Sequence, residues 1–336
     1  MVLLGLLTAV RAAAVGSNPG FNNPFQPIPG REYRGQSQLI ADGWTPFYIA
    51  ANTDPGSGNA SRLRWMSSAQ FAATFGGLDY HIEGDQAQNM WSSYKFDAGV
   101  YQQISGLTPG QAYGFDVGMV TYWRGPGYPD SDGKMVKRVG IDPTGGTDPT
   151  SSTLVWSETD SNDKAWVYMD VAATVQASTI TVFAKVQAPE NESVNHTDLD
   201  MVYFDVGHLD IAPSASLAAS ANGTTINANW SGVAAPGWSI KGYEVQYQDL
   251  AEGNWLTLQN KNQTGLNTSF TGQAGHTYKV RVRAWQRTSE SYNSDIDMPG
   301  VWVEKSVILG NAVTGQVRNY LRQPLSGVEV AVQGTA

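Results

Sequence analysis

The sequence has no cysteine, so disulfides and thiolate chemistry, nucleophilic or metal-binding, are excluded. Charge is sparse. Asp, Glu, Lys and Arg make up 15% of the 336 residues, the net charge is −9, and there is no basic tract. Recognition of nucleic acid or of an anionic membrane surface needs a positive footprint, which is missing. The four histidines, His81, His196, His208 and His276, show neither H-x-x-x-H nor H-E-x-x-H spacing, so no zinc site can be read from them. There is no G-x-S-x-G and no P-loop, and no E-x-D-x-x-E strand supplies the two carboxylates of a β-sandwich glycosidase. The expectation is a protein that is not an enzyme. No apolar run reaches the ~20 residues of a membrane helix. The run over residues 2–10 has signal-peptide length, and with the small-residue site Ala12-Ala13-Ala14 it reads as a signal remnant whose basic leader is missing.

What is present points to β-structure. The 36 glycines, with abundant Asn, Thr and Ser, favour turns, and no stretch shows a convincing helical period. Aromatics reach 11%, with 11 Trp and 15 Tyr. Few charges and many rings suit an all-β core and also a surface for neutral, ring-shaped ligands. The clearest stretch is residues 98–123, AGVYQQISGLTPGQAYGFDVGMVTYW. After the turn signal Thr108-Pro109-Gly110, Tyr113, Phe115, Val117, Met119, Thr121 and Trp123 share one face. Gly114, Asp116, Gly118, Val120 and Tyr122 share the other. The spacing predicts strand, turn and strand, with the turn setting the register of their pairing, one face buried and one mixed and aromatic-tipped. Further strands are expected over 44–50, 65–70, 78–82, 91–96, 134–141, 154–157, 164–171, 178–186 and 199–211. Roughly nine to eleven strands, each with one apolar face, require two packed sheets, and a jelly-roll β-sandwich is the economical all-β solution.

The length suggests two or three domains. A boundary falls at Ala212-Pro213-Ser214. Residues 213–309 read as a second set of short strands, including 225–230 ending in Trp230, 242–248 (GYEVQYQ) and 277–285 (TYKVRVRAW). Tyr278 stands where a tyrosine corner is expected. This pattern resembles a fibronectin type III domain, and without an RGD motif its default role is that of a spacer. From residue 310, GNAVTGQVRNYLRQPLSGVEVAV resembles the opening strands of a carboxypeptidase-regulatory-like, transthyretin-type sandwich. Because it stops at Ala336, the chain is expected to be a fragment of a larger modular protein.

In residues 15–212, the segments SNPGFNNPF, AGVYQQISGLTPGQAY and DMVYFDVGHL resemble a carbohydrate-binding-module-like jelly roll of secreted bacterial surface proteins. The resemblance implies extracellular, non-catalytic binding of a polysaccharide or cell-surface glycan. A sugar ring offers an apolar C–H face to a Trp or Tyr ring and a belt of hydroxyls to polar side chains. The candidates are Trp91, Tyr94, Tyr122, Trp123, Arg124 and Tyr128, with Gln102, Gln103, Asp130 and Asp132 as polar partners. Tyr122 leads, because Trp123 shares its face with Phe115 and Val117. The resemblance also implies a structural calcium, at the matching positions Asn22 and Asp205. Asn stands there in place of the usual acid, which lowers the ligand charge. His208, alternating with Val202, Phe204 and Val206, is expected to be a satisfied buried histidine. Two other readings stay open: a structural adhesin or stalk binding protein partners, and accessory domains of a secreted glycoside hydrolase or peptidase.

Overall fold

The computed structural model describes residues 21, 24–49, 63–75, 80–82, 84–123, 134–189, 200–289, 295–310, 319, 322 and 323. The fold is all-β, with one short helix among the described residues. The chain runs through β1 (Phe25–Tyr33), β2 (Gln36–Ala41), β3 (Thr45–Tyr48), β4 (Arg64–Ser67), α1 (Ser68–Phe75), β5 (Gln88–Ser92), β6 (Phe96–Ser105), β7 (Ala112–Tyr122), β8 (Val136–Asp142), β9 (Val155–Trp156), β10 (Val167–Thr174), β11 (Thr179–Ala188) and β12 (Asp200–Ile211). After the β1–β2 hairpin, two five-stranded antiparallel sheets form. One has the order β10-β7-β12-β5-β4 and the other β3-β6-β11-β8-β9.

The central stretch is not a hairpin. β6 pairs with β3 and β11, whereas β7 pairs with β10 and β12, so the two strands lie in different sheets. Their apolar faces meet across the core, with Val100 and Ile104 of one and Phe115, Val117 and Met119 of the other in a single buried cluster. The Thr108-Pro109-Gly110 turn is therefore a corner between sheets. Its Leu107 and Gly110 amides donate to the carbonyls of Ser178 (3.0 Å) and Val175 (2.8 Å), which docks it on the neighbouring β10–β11 corner.

The helix was not visible in the strand pattern. The strand expected over 65–70 stops at Ser67, whose hydroxyl accepts the Gln70 amide at 3.1 Å and caps α1. Phe71 and Phe75, four residues apart, share one side of the helix with ring centroids 4.8 Å apart. They pack on Trp91 and Tyr203, so α1 covers the outer side of the first sheet at its β4–β5 end. The described part of the stretch expected as a strand over 78–82, Tyr80 to Ile82, is not in a strand.

The second half continues through β13 (Ser214–Asn222), β14 (Thr225–Val233), β15 (Ser239–Asp249), β16 (Trp255–Gln259), β17 (Asn267–Thr271), β18 (Thr277–Ser289), β19 (Asp295–Pro299) and β20 (Val303–Ile308). The sheet β13-β14-β17 packs on β16-β15-β18-β19, with β20 also on β18, around Ile226, Trp230, Tyr243, Val245, Val280 and Val282. The Tyr278 hydroxyl accepts the Gln273 amide at 2.9 Å, the contact a tyrosine corner makes. On the outer side, the Arg281 guanidinium lies 3.9 Å from the Trp255 ring and 4.2 Å from that of Trp302. Arg283 continues the ladder, 4.5 Å from Trp302 and 5.0 Å from Trp285.

Only Ala212 and Pro213 separate β12 from β13, and side chains join the two sandwiches. The fully buried Gln286 donates to the Ile211 carbonyl and accepts the Ala235 amide, both at 2.8 Å. Trp238 Nε1 donates to Asp210 at 2.8 Å. The Met298 side chain fills the hollow over Gly114, where a Cβ would come within 2.4 Å of it.

Candidate functional site

Most of the rings expected to meet a ligand are buried. Trp91 sits edge-on to Tyr33 and Phe75, with centroids 5.2 and 5.3 Å away. Tyr122 packs against Tyr80 at 5.4 Å, and loss of solvent, with Tyr80 and Asp163 nearby, pushes its phenol up to about 12. Trp123 belongs to the main core, with Lys134 Nζ 4.6 Å above its ring. Gln102 is buried as well. Alternation shows that a strand has two faces, but not that α1 and Tyr80 cover the one carrying Trp91 and Tyr122, whereas Trp123 and Gln102 lie on faces turned to the core. Tyr94 is half-buried, and Arg124, Tyr128, Asp130 and Asp132 lie outside the described residues.

Of the two calcium positions, Asn22 lies outside the described residues, and Asp205 is fully buried and accepts the Ile82 amide. No group of three acidic or histidine side chains that could hold a metal occurs among the described residues. His208 is not on the Val202 face. A bulge in β12 between Asp205 and Gly207 shifts the register by one residue, which sends Leu209 to the core and His208 to the outside, against Asp116.

A different set of rings stands on the other sheet. Val100, Ile104, Val139, Val182 and Ala184 face the core, so Tyr101 on β6, Phe183 on β11 and Gly140 on β8 point the opposite way, in one row across the strands. Phe47 on β3 and Trp156 on β9 extend the cluster. Ring centroids are 5.7 Å apart for Phe47–Phe183, 5.7 Å for Tyr101–Phe183 and 6.0 Å for Trp156–Phe183. Phe47 and Phe183 are buried by the other rings, while Tyr101 and Trp156 are half-buried. Trp156 pairs with Gly140, and its indole lies where a Cβ at 140 would be, 2.7 Å from the nearest ring atom.

Polar groups border this row. Lys185 pairs with Asp97 at 2.7 Å, and the Arg138 guanidinium lies 5.1 Å from the Trp156 ring centre. The exposed Gln103 donates to the Gly145 carbonyl at 2.9 Å. The loop carrying Gly145 is anchored at Asp142. Burial works against the charge of that carboxylate, but hydrogen bonds from the Thr144 hydroxyl (2.6 Å), the Thr153 hydroxyl (2.7 Å) and the Thr144 amide (2.8 Å) hold its pKa below the usual range. The row had a signal in the sequence. In TITVFAKV, Phe183 is an aromatic on the face opposite Ile180, Val182 and Ala184.

No protein-family model matches the chain, and no curated protein sequence does. Among solved structures it is similar to TmCBM61 in complex with β-1,4-galactotriose, at 14% identity over 59% of this chain and 98% of the other, with a TM-score of 0.33. It is also similar to the CBM22-1–CBM22-2 tandem of Xyn10C from Paenibacillus barcinonensis, at 8% identity over 90% and 92% of the two chains, TM-score 0.29. A third is the adhesin domain of Epf from Streptococcus pyogenes, at 9% identity over 68% and 80%, TM-score 0.27.

Proposed function

We propose that the chain is a non-catalytic, extracellular glycan-binding part of a larger modular protein, and that the Tyr101–Phe183–Trp156 face is its sugar platform. One observation carries this reading: a row of aromatic rings stands on the side of a sheet that faces away from the core. Rings inside a sandwich serve packing, but these are set outside it, bordered by a lysine, an arginine and an exposed amide. Tyr101 and Trp156 offer partly open ring faces to sugar C–H groups, and Arg138, Lys185 and Gln103 can bond hydroxyls. The Tyr101 and Trp156 rings flank that of Phe183 at 5.7 and 6.0 Å, in a row across the strands, which favours an oligosaccharide lying across the strands over a single ring. In this reading residues 15–212 are a carbohydrate-binding-like jelly roll, residues 213–309 a fibronectin type III-like domain and residues 310–336 the start of a further sandwich.

The test is retention of the whole chain on a panel of polysaccharides by affinity electrophoresis, with and without EDTA. Tyr101→Ala and Trp156→Ala should each weaken binding at least tenfold while the circular dichroism spectrum stays unchanged. Absence of retention on every polysaccharide in both conditions overturns the reading.

A further inference from the structure

The outer side of the β10-β7-β12 sheet carries a row of titratable side chains that stability alone does not explain. Asp170 on β10 stands directly opposite Asp116 on β7, and Asp116 directly opposite His208 on β12. Like charges at opposed positions of an antiparallel pair repel and weaken a sheet. Asp116 is 1% exposed, and its Oδ1 is hydrogen-bonded to His208 Nδ1 at 2.8 Å. Its Oδ2 is buried and has no hydrogen-bond partner. A buried carboxylate oxygen without a donor costs free energy, so one facing a cavity marks a place for a ligand donor.

Such a cavity lies between the two sandwiches. A space of about 310 Å³ is lined by Asp116, Trp166, Tyr168, Asp170, Lys261 and Asp297. Through Tyr168, Asp170 and Lys261 it adjoins a cleft of about 460 Å³ that reaches Arg283 and Trp302 and meets the sheet face at Trp156. Both volumes fall in the range of about 300–1,000 Å³ typical of small-molecule sites. On the far wall, Arg283 pairs with Glu244 at 2.7 Å, and Asp297 pairs with Lys241 and, at 2.6 Å, with Arg287. The groups left to meet a ligand are Asp116 Oδ2, Asp170 and Lys261, whose ammonium lies 4.2 Å above the Trp285 ring. Two acceptors, one cationic donor and the rings of Trp166 and Tyr168 match a neutral molecule with adjacent hydroxyls and an apolar face.

We propose that this cleft is a second saccharide subsite, adjoining the sheet face at Trp156 and built by both sandwiches, that takes one or two rings of a neutral glycan. Sugar hydroxyls donate to Asp116 Oδ2 and Asp170, Lys261 donates to a hydroxyl or ring oxygen, and Tyr168 or Trp166 receives the C–H face. The second sandwich is then part of the binding apparatus and not a spacer. Burial pushes the Asp170 carboxyl up to about 6, against Lys261 and Arg283 and with the help of Asp116 and Glu244. The charged groups around it are Asp116 on β7, His208 on β12, Glu244 on β15, Lys261 between β16 and β17, Arg283 on β18 and Asp297 on β19. Binding at the cleft should therefore weaken as acid removes the Asp170 acceptor.

The experiment is calorimetric titration of the whole chain with neutral β-1,4-linked trisaccharides: galactotriose, xylotriose and cellotriose. For the trisaccharide that binds, wild type should take two equivalents. Tyr101→Ala should keep one, weakening about tenfold between about pH 8 and about pH 5. Asp170→Asn and Lys261→Ala, which leave the sheet face intact, should each lose the cleft equivalent and keep the other. If Tyr101→Ala abolishes all binding while Asp170→Asn and Lys261→Ala titrate like wild type, the cleft proposal fails and the sheet-face reading stands. If the cleft takes glucosamine, a primary ammonium, and none of the neutral sugars, the proposed ligand class is overturned. If no trisaccharide binds wild type, the cleft proposal falls, and the sheet-face reading is decided by the polysaccharide panel.

Discussion

The indole of Trp156 stands over Gly140, its cross-strand partner, with ring atoms 2.7–3.1 Å from where a Cβ would lie. Gly140→Ala should force the ring off the sheet or bend β9, at about 1–3 kcal/mol, the usual range for overpacking. Because the ring is the end of the proposed platform, glycan affinity should fall about tenfold. Retention with wild-type affinity would show that the position of the Trp156 ring does not matter to binding.

Asp170 makes stability depend on pH in a direction opposite to that of most carboxylates. Its folded-state pKa, about 6, is above the ordinary value of 3.8, so the folded chain holds the proton more tightly than the unfolded chain. The stabilisation this gives is complete below about pH 4 and is lost as pH rises through about 6. Asp170→Asn should remove this slope and raise neutral-pH stability by up to about 3 kcal/mol. Urea unfolding across that pH window measures it, and an unchanged slope in the variant would refute the assignment.

Lys137 is a fully buried lysine. Its ammonium pairs with Asp160 at 2.9 Å, lies 3.3 Å from the Thr121 hydroxyl and donates to the Asn162 carbonyl. It ties β8 to the segment leading into β10. Lys137→Met leaves Asp160 and that carbonyl without their cation and should cost about 2–4 kcal/mol. Lys137→Met combined with Asp160→Asn should recover part of the loss in thermal unfolding, since the stranded carboxylate is then gone.

Gln286 bonds both sandwiches from a fully buried position, through the Ile211 carbonyl and the Ala235 amide. Gln286→Leu strands both groups and should cost about 2–4 kcal/mol. It should also split a single calorimetric unfolding transition into two, because the halves then melt independently. One unchanged transition would mean that Met298 and Trp238 suffice to couple them.

For the longest alternating stretches, the sequence alone determined the outcome. The alternation in residues 98–123 and in TYKVRVRAW is that of the observed β6, β7 and β18, and Tyr278 makes the corner contact its position suggests. Periodicity and turn chemistry are local, and burial of one face follows directly from them. Three things were decided only in three dimensions. β6 and β7 joined different sheets, because nothing local says whether two apolar faces lie side by side or pack against each other. The mixed outer face became a second core, because α1 settled over Trp91 of β5 and Tyr80 over Tyr122 of β7. A one-residue bulge in β12 turned His208 toward Asp116, and β10 set Asp170 opposite that same aspartate. Register and sheet order depend on contacts between residues far apart in the chain. The groups with chemistry left to offer, Tyr101 and Trp156 on one sheet and Asp116 and Asp170 on the other, could be located only once those contacts were formed.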